Sequence, residues 1–280
     1  MVYRLLKVEL NKIFSRPRSY IGFVAIAILV FIFQLALYVD GKTYLTFLIQ
    51  QLETNFSIQG NILNGYLITY IILQTLIVQM PLMVALVTGD LLSGESSSGT
   101  MRLLATKPIS RANIITAKLI AGSFYTLLLV IWLGGLALGF GLWIFKPGDL
   151  MVLSTDHISI IPSSECLWRF FAACAVAFIS LSVVTTFSLM LSAFSDNSIV
   201  PIVTTMAVII IFTIVGTLDV PLFNNIKPFL FTTHMIVWQK LFQDPISTST
   251  ITKSICIMFA YIFGFLSVTY YRFIKKDILS

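Results

Sequence analysis

The chain has 280 residues, 58% of them hydrophobic and 11% charged, with a mean hydropathy of +0.95. Soluble domains run nearer half apolar and a quarter charged, so this composition excludes a soluble globular protein and leaves no segment of domain size outside a membrane. A net charge of +6 would suggest nucleic acid in a soluble chain, but here the basic residues flank apolar segments, where anionic lipid headgroups meet them and no nucleic-acid partner is expected.

The N-terminal segment carries Arg4, Lys7, Lys12, Arg16 and Arg18 ahead of an apolar run. Val2, Leu6, Leu10, Ile13 and Phe14 fall at helical spacing, with Arg4, Lys7 and Asn11 on another side. Residues 1–18 therefore read as an amphipathic helix in the membrane interface, with a disordered basic leader as the other reading. The run that follows is long and lacks a small-residue cleavage site, so it reads as a retained first span and not as a signal peptide.

A helix needs about 20 apolar residues to cross a hydrocarbon core of about 30 Å. Six stretches without Asp, Glu, Lys or Arg meet that need and predict spans near 19–39, 66–90, 114–145, 169–194, 198–218 and 253–272. The predicted fold class is an all-α integral membrane protein forming a single transmembrane domain over 1–280. The second stretch opens on Asn55, Ser57, Gln59, Asn61 and Asn64, which read as loop, so its helix begins near Tyr66. Pro81 and Pro201 are expected to kink or weaken their spans. Between the last two spans, Pro221, Pro228 and Pro245 surround an apolar patch, 228–238, that is too short to cross and fits re-entrant or interfacial helices.

Lys and Arg concentrate in the N-terminal segment, the loop after the second span and the C-terminal tail, which makes that face cytoplasmic with both termini on it. Two connections then face inward, a long one near 90–118 and a tight turn at 195–198. A cytoplasmic partner has to dock mainly on the long one and on the N-terminal segment.

Chemistry is sparse. No Gly-rich loop ends in Lys and Ser or Thr, so no nucleotide site exists in the chain. His157 and His234 lie far apart, Cys166, Cys174 and Cys256 have no ligand spacing, and no metal is expected. The serines at 93 and 96–98 have no histidine on their face, so no catalytic residues and no enzyme activity are expected. No span has an ionisable residue at its centre, which counts against an ion-coupled carrier. Polar residues do enter the spans. Gln74 and Gln79 on the second, and Thr185, Ser188 and Ser192 sharing a face of the fourth, either line a substrate path or bond neighbouring helices. Gly135 and Gly139, four apart on the third span, read as a packing site for another helix.

The loop at 90–118 is the informative segment. Gly94 and Gly99 permit a sharp exit from the second span, Ser98 or Thr100 can cap a short helix over 101–106, Pro108 stops it, and Ser110 can cap the next helix, which runs through Lys118 into the third span. Its pattern is Glu95, then Gly99–Thr100, Leu103–Leu104, Pro108–Ile109–Ser110–Arg111 and Lys118. On these residues the sequence resembles the type-2 ABC transporter permease family, and six spans with an N-terminal interfacial helix fit that likeness along the whole chain.

The resemblance implies a permease subunit in a bacterial plasma membrane that pairs with a second permease, the same or a homologous chain. It also implies two separate ATP-binding subunits, which hold the ATP and Mg, and export as the usual direction. Residues 91–113 would be the coupling loop, with Glu95, Arg102, Lys107 and Arg111 as polar contacts and Leu103 and Leu104 as apolar ones. Gly99, Thr100, Pro108 and Ser110 would shape it. Arg111 would tether the loop to the motor or to Glu95, or else meet lipid headgroups. A secondary transporter and a non-transporting membrane scaffold are the competing classes. The substrate is not legible.

Overall fold

The computed structural model describes residues 2–49, 63–101, 109–153, 158–218 and 220–275. Helix α1 (Val2–Phe14) buries Ile13 and Glu9 and packs Leu6, Leu10 and Phe14 against the core, as the amphipathic spacing predicts. It stops short of residue 18 because Pro17, which has no N–H to donate, opens α2 (Pro17–Ile49) instead. Ser19 Oγ donates to the Ile13 carbonyl at 2.6 Å and closes that corner. Helix α2 has 33 residues, or about 50 Å at about 1.5 Å per residue, longer than the hydrocarbon needs.

The second apolar stretch is two helices, α3 (Gly65–Leu76) and α4 (Met80–Thr88), followed by the single turn α5 (Ser93–Ser97), with a bend of 49° at the break. Pro81 explains the site of the break. It removes one helical hydrogen bond and its ring would strike the carbonyl of Ile77, four residues earlier. The chain tightens there, with Gln79 N bonding the Leu76 carbonyl at 2.9 Å.

Helix α6 (Arg111–Phe145) starts at Ser110, whose side chain accepts from Asn113 N. After it comes an antiparallel hairpin, β1 (Leu150–Leu153) and β2 (Ile158–Ile161), paired Leu150 to Ile161 and Val152 to Ser159. The described chain is otherwise helical, consistent with an all-α integral membrane protein, and this hairpin is the one sheet among the described residues. Alternation buries Leu150 and Val152 and turns Met151 outward, a period-2 signal only four residues long. Asn64 and Asp149 tie this end together. The Asn64 amide donates to the Asp149 carbonyl at 2.6 Å, and the Asp149 carboxylate accepts from Ser163 N at 2.9 Å to start α7 (Ser163–Phe194).

Helix α7 is the centre of the bundle, with 61% of its most apolar window buried, against 17% for α8 (Ile199–Thr217) and α11 (Thr248–Lys275). Between α8 and α11 the chain makes α9 (Pro221–Asn224), a 3-10 turn at Lys227–Phe229, α10 (Phe231–Met235) and a second 3-10 segment at Ile236–Phe242. Trp238 and Phe242 anchor that segment in an aromatic cluster with Tyr70 and Phe170, the closest centroids being 4.8 Å apart for Phe170 and Phe242. By length and composition α2, α6, α7, α8 and α11 can each cross a membrane, and the bent α3–α4 pair makes a sixth if it is one span.

The close helix approach falls elsewhere than the sequence spacing indicates. A Cβ on Gly135 or Gly139 would meet nothing within 4 Å, whereas one on Gly65 would lie 2.6 Å from the Gly141 carbonyl oxygen. Glycine is therefore required where α3 crosses α6.

Candidate functional site

Four charged side chains from three separate parts of the chain meet at the end of the bundle that carries α1. Lys118, in the second turn of α6, places Nζ 2.8 Å from Glu9 Oε2 and 2.8 Å from Glu95 Oε1. Lys12 Nζ lies 3.0 Å from Glu9 Oε1 and 2.5 Å from Glu95 Oε1. Glu9, Glu95 and Lys118 are 5%, 4% and 1% exposed and Lys12 is half-buried, so this is a charge-balanced square of two carboxylates and two ammonium groups, buried at three of its four corners. Charges are tolerated at such burial only when paired. Burial pulls the Lys12 pKa down, but its hydrogen bond and proximity to Glu95, with Glu9 behind, outweigh that and hold it above its ordinary value.

A second cluster adjoins it. Asp90, 3% exposed, receives both Arg16 from the corner between α1 and α2 and Arg18 from the first turn of α2. The two carboxylates at 90 and 95 are thus held by α1, α2 and α6 together. Gly94 is needed between them, because a Cβ there would run into the Asp90 carboxylate.

The start of α5 is held from the opposite side. Ser192 of α7 accepts from the backbone N–H groups of Leu92 and Ser93 at 3.1 and 2.9 Å, satisfying donors that a helix start leaves free. Gly99, at φ +71°, ends the turn in the left-handed region, and Thr100 Oγ1 bonds back to the Glu95 carbonyl. Ser96 donates to Asp196 at 2.6 Å, so the tight turn at 195–198 also braces the loop. Of the residues proposed for coupling, Glu95, Gly99, Thr100, Ser110 and Arg111 are brought to this end of the bundle. Arg102, Leu103, Leu104, Lys107 and Pro108 lie outside the described residues.

Arg111 does not take Glu95. Its guanidinium donates to the Ile274 carbonyl at 2.7 Å and the Phe273 carbonyl at 3.4 Å, at the C-terminal end of α11, where exposed carbonyls and the helix dipole favour a cation. Glu95 is instead occupied by Lys12 and Lys118. Glu9, Lys12, Asp90, Arg16 and Arg18 were not among the expected site residues. The available signal was Glu9, the one acidic residue of a basic amphipathic helix and one turn from Lys12.

The polar face of α7 is buried and bonded to its neighbours. Thr185 meets Thr126 of α6 at 2.9 Å, Ser188 meets Thr205 of α8 at 3.3 Å, and Ser192 holds α5. Gln74 and Gln79 are exposed, and neither joins that face. Gln74 lines a cavity of about 820 Å³ at the hairpin end of the bundle.

The sequence profile described as ABC-2 family transporter protein matches residues 6–278, which takes in most of α1 and every later helix through α11. The chain belongs to the ABC-2 transporter family. No curated protein matches it. As an ABC-2 family member it is a multi-pass membrane protein and the membrane-spanning permease part of an ABC transporter. Half of the square of charge lies in the segment whose residues carry the family likeness, since Glu95 and Lys118 are the first and last members of that pattern.

Proposed function

We propose that this ABC-2 permease couples to separate ATP-binding subunits through the loop at 90–118, and that the buried square passes the motor's movement into the membrane. The carrying observation is the pairing of Lys118 with both Glu95 and Glu9. It joins the end of the second span, the start of the third and the interfacial helix into one unit. A push on the loop cannot be absorbed locally, because separating these groups would strand charges in a buried site. The loop, α1 and the inner ends of α4 and α6 therefore move together, and the break before Pro81 is where the second span bends relative to its outer half.

In this reading the chain crosses a bacterial plasma membrane six times with both termini cytoplasmic. It pairs with a second permease and two ATP-binding subunits and exports its substrate. Support comes from the crowding of basic residues at the α1 end and from the exposure of Gln79, which leaves a polar side chain on the outside of a single chain, where a second permease would meet it. Co-purification in mild detergent with ATP-binding subunits from the same cell tests it. A stoichiometric ATPase that is lost when 102–107 is replaced by a Gly-Ser stretch supports the docking loop, and the absence of any ATPase partner overturns it.

A further inference from the structure

The cavity of about 820 Å³ lies at the end of the bundle away from the charge square, between α3, the hairpin, the second 3-10 segment and the start of α11. Its walls differ by height. Lys240 and Lys253 supply two ammonium groups, and among the described residues neither forms an ion pair or hydrogen bond. Among the described residues no Asp or Glu lines it. Lys240 is half-buried and Lys253 exposed, so both ammonium groups are open to a ligand, whereas the buried Arg169 is already matched by Glu165 and by the Leu241 and Gln243 carbonyls.

The lower wall is apolar and amide-bearing. Tyr70 and Gln74 stand on the second and third turns of α3, and Ile236 and Val237 of the 3-10 segment share the lining with them. Gln74 is nine residues beyond the start of α3 at Gly65, which puts it about 13 Å further along the helix axis. The wall is preformed, because Arg169 grips the carbonyls at its end and Trp238 and Phe242 lock it into the aromatic cluster. His234 is held by Ser254 and the Pro228 carbonyl. Thr233 Oγ1, on the same lining, is buried without a hydrogen-bond partner among the described residues.

We propose that this cavity is a binding site for an anionic amphiphile, with the anionic group at Lys240 and Lys253 and the apolar body along Tyr70, Ile236 and Val237. Two uncompensated cations select the charge, since a neutral or cationic group there would gain nothing from them. The volume is that of a drug-sized or lipid-fragment ligand, well above that of a bare anion. The chemistry is shared by an anionic lipid headgroup entering from the bilayer and by a single-chain acidic amphiphile entering from the aqueous side. The site stands on this chain alone and does not depend on coupling to an ATPase.

The test uses the full chain in nanodiscs of neutral phosphatidylcholine, read by energy transfer from tryptophan to a dansyl probe. Three probes are compared, a dansyl phosphatidic acid, a dansyl dodecanoate and a dansyl phosphatidylcholine of matched chain length. Saturable binding of either anionic probe, weakened about tenfold by Lys240→Gln with Lys253→Gln and preserved by arginine at both positions, is the expected result. Preference between the two anionic probes identifies the source. A zwitterionic probe that binds as tightly as the anionic ones, unchanged affinity in the glutamine variant, or full competition by inorganic phosphate would each overturn the proposal. The arginine variant controls for folding, since it keeps the charge and most of the volume.

Discussion

Lys118 of α6 and Glu95 of the loop form an ion pair of 2.8 Å at a point where the lysine side chain is 1% exposed. Their separation in sequence spans the whole 90–118 connection, so this one contact staples the loop shut at its base. The same ammonium also holds Glu9 at 2.8 Å, which brings α1 into the closure.

Removing the Lys118 cation leaves two buried carboxylates to share Lys12 alone, with one negative charge in excess. Lys118→Met is expected to destabilise the protein by about 3–5 kcal/mol, measured by thermal denaturation in detergent. Adding Glu95→Gln should recover part of that loss, because the unpaired buried charge is then gone. Strict additivity of the two changes would contradict the pairing.

Arg111 and Glu95 are expected to behave independently. Arg111 holds the end of α11 and Glu95 the base of the loop, so a cycle of Arg111→Ala and Glu95→Gln should show coupling below about 0.5 kcal/mol. A larger coupling would mean that they touch.

Ser192→Ala removes the acceptor for two backbone N–H groups at the start of α5. The expected loss is about 1–2 kcal/mol, with faster hydrogen exchange at Leu92 and Ser93 as the local reporter. Unchanged exchange at those amides would rule out the capping role.

Gly65→Ala should be far more damaging than Gly139→Ala. The first puts a methyl against the Gly141 carbonyl and the second meets no atom of the described residues within 4 Å. Overpacking costs of about 1–3 kcal/mol are expected for Gly65→Ala alone, read as a drop in thermal midpoint of the purified subunit.

The Lys12 ammonium is held above its ordinary value of 10.5. A cation with a raised folded-state pKa contributes stability that is fully present below its unfolded value and is lost as pH rises through the folded one. The stability gap between wild type and Lys12→Met should therefore be constant from neutral pH up to 10.5 and close above it. A gap that shrinks between neutral pH and that value would contradict the contact with Glu95 and Glu9.

Much of this arrangement is written locally and some is not. The apolar stretches mark the helices, the helical spacing of Leu6, Leu10 and Ile13 marks α1, and Ser110 marks the start of α6, because each signal lies within a few residues. Glu95 and Lys118 stand out as ends of a pattern, but their pairing does not, since two points on a line carry no azimuth. Glu9 is further still from its partners and reads locally as one acid on a basic helix. The glycine pair at 135 and 139 has the spacing of a close contact. The contact itself is made by Gly65 and Gly141, because a small residue only permits an approach, and the crossing of α3 and α6 decides where one occurs. The hairpin escaped because four-residue strands carry too little alternation to outweigh an apolar background.

The most direct test of the coupling account is a distance measurement by pulsed electron resonance in the complex with its ATP-binding subunits. A cysteine-free background carries spin labels at Tyr3 and Ser98, or at Ser98 and Leu222, all exposed. If the charge square makes α1 and the loop one body, trapping the ATP-bound state leaves the Tyr3–Ser98 distance unchanged while Ser98–Leu222 shifts. A Tyr3–Ser98 distance that changes as much as Ser98–Leu222 would show the loop moving without α1 and would contradict the account.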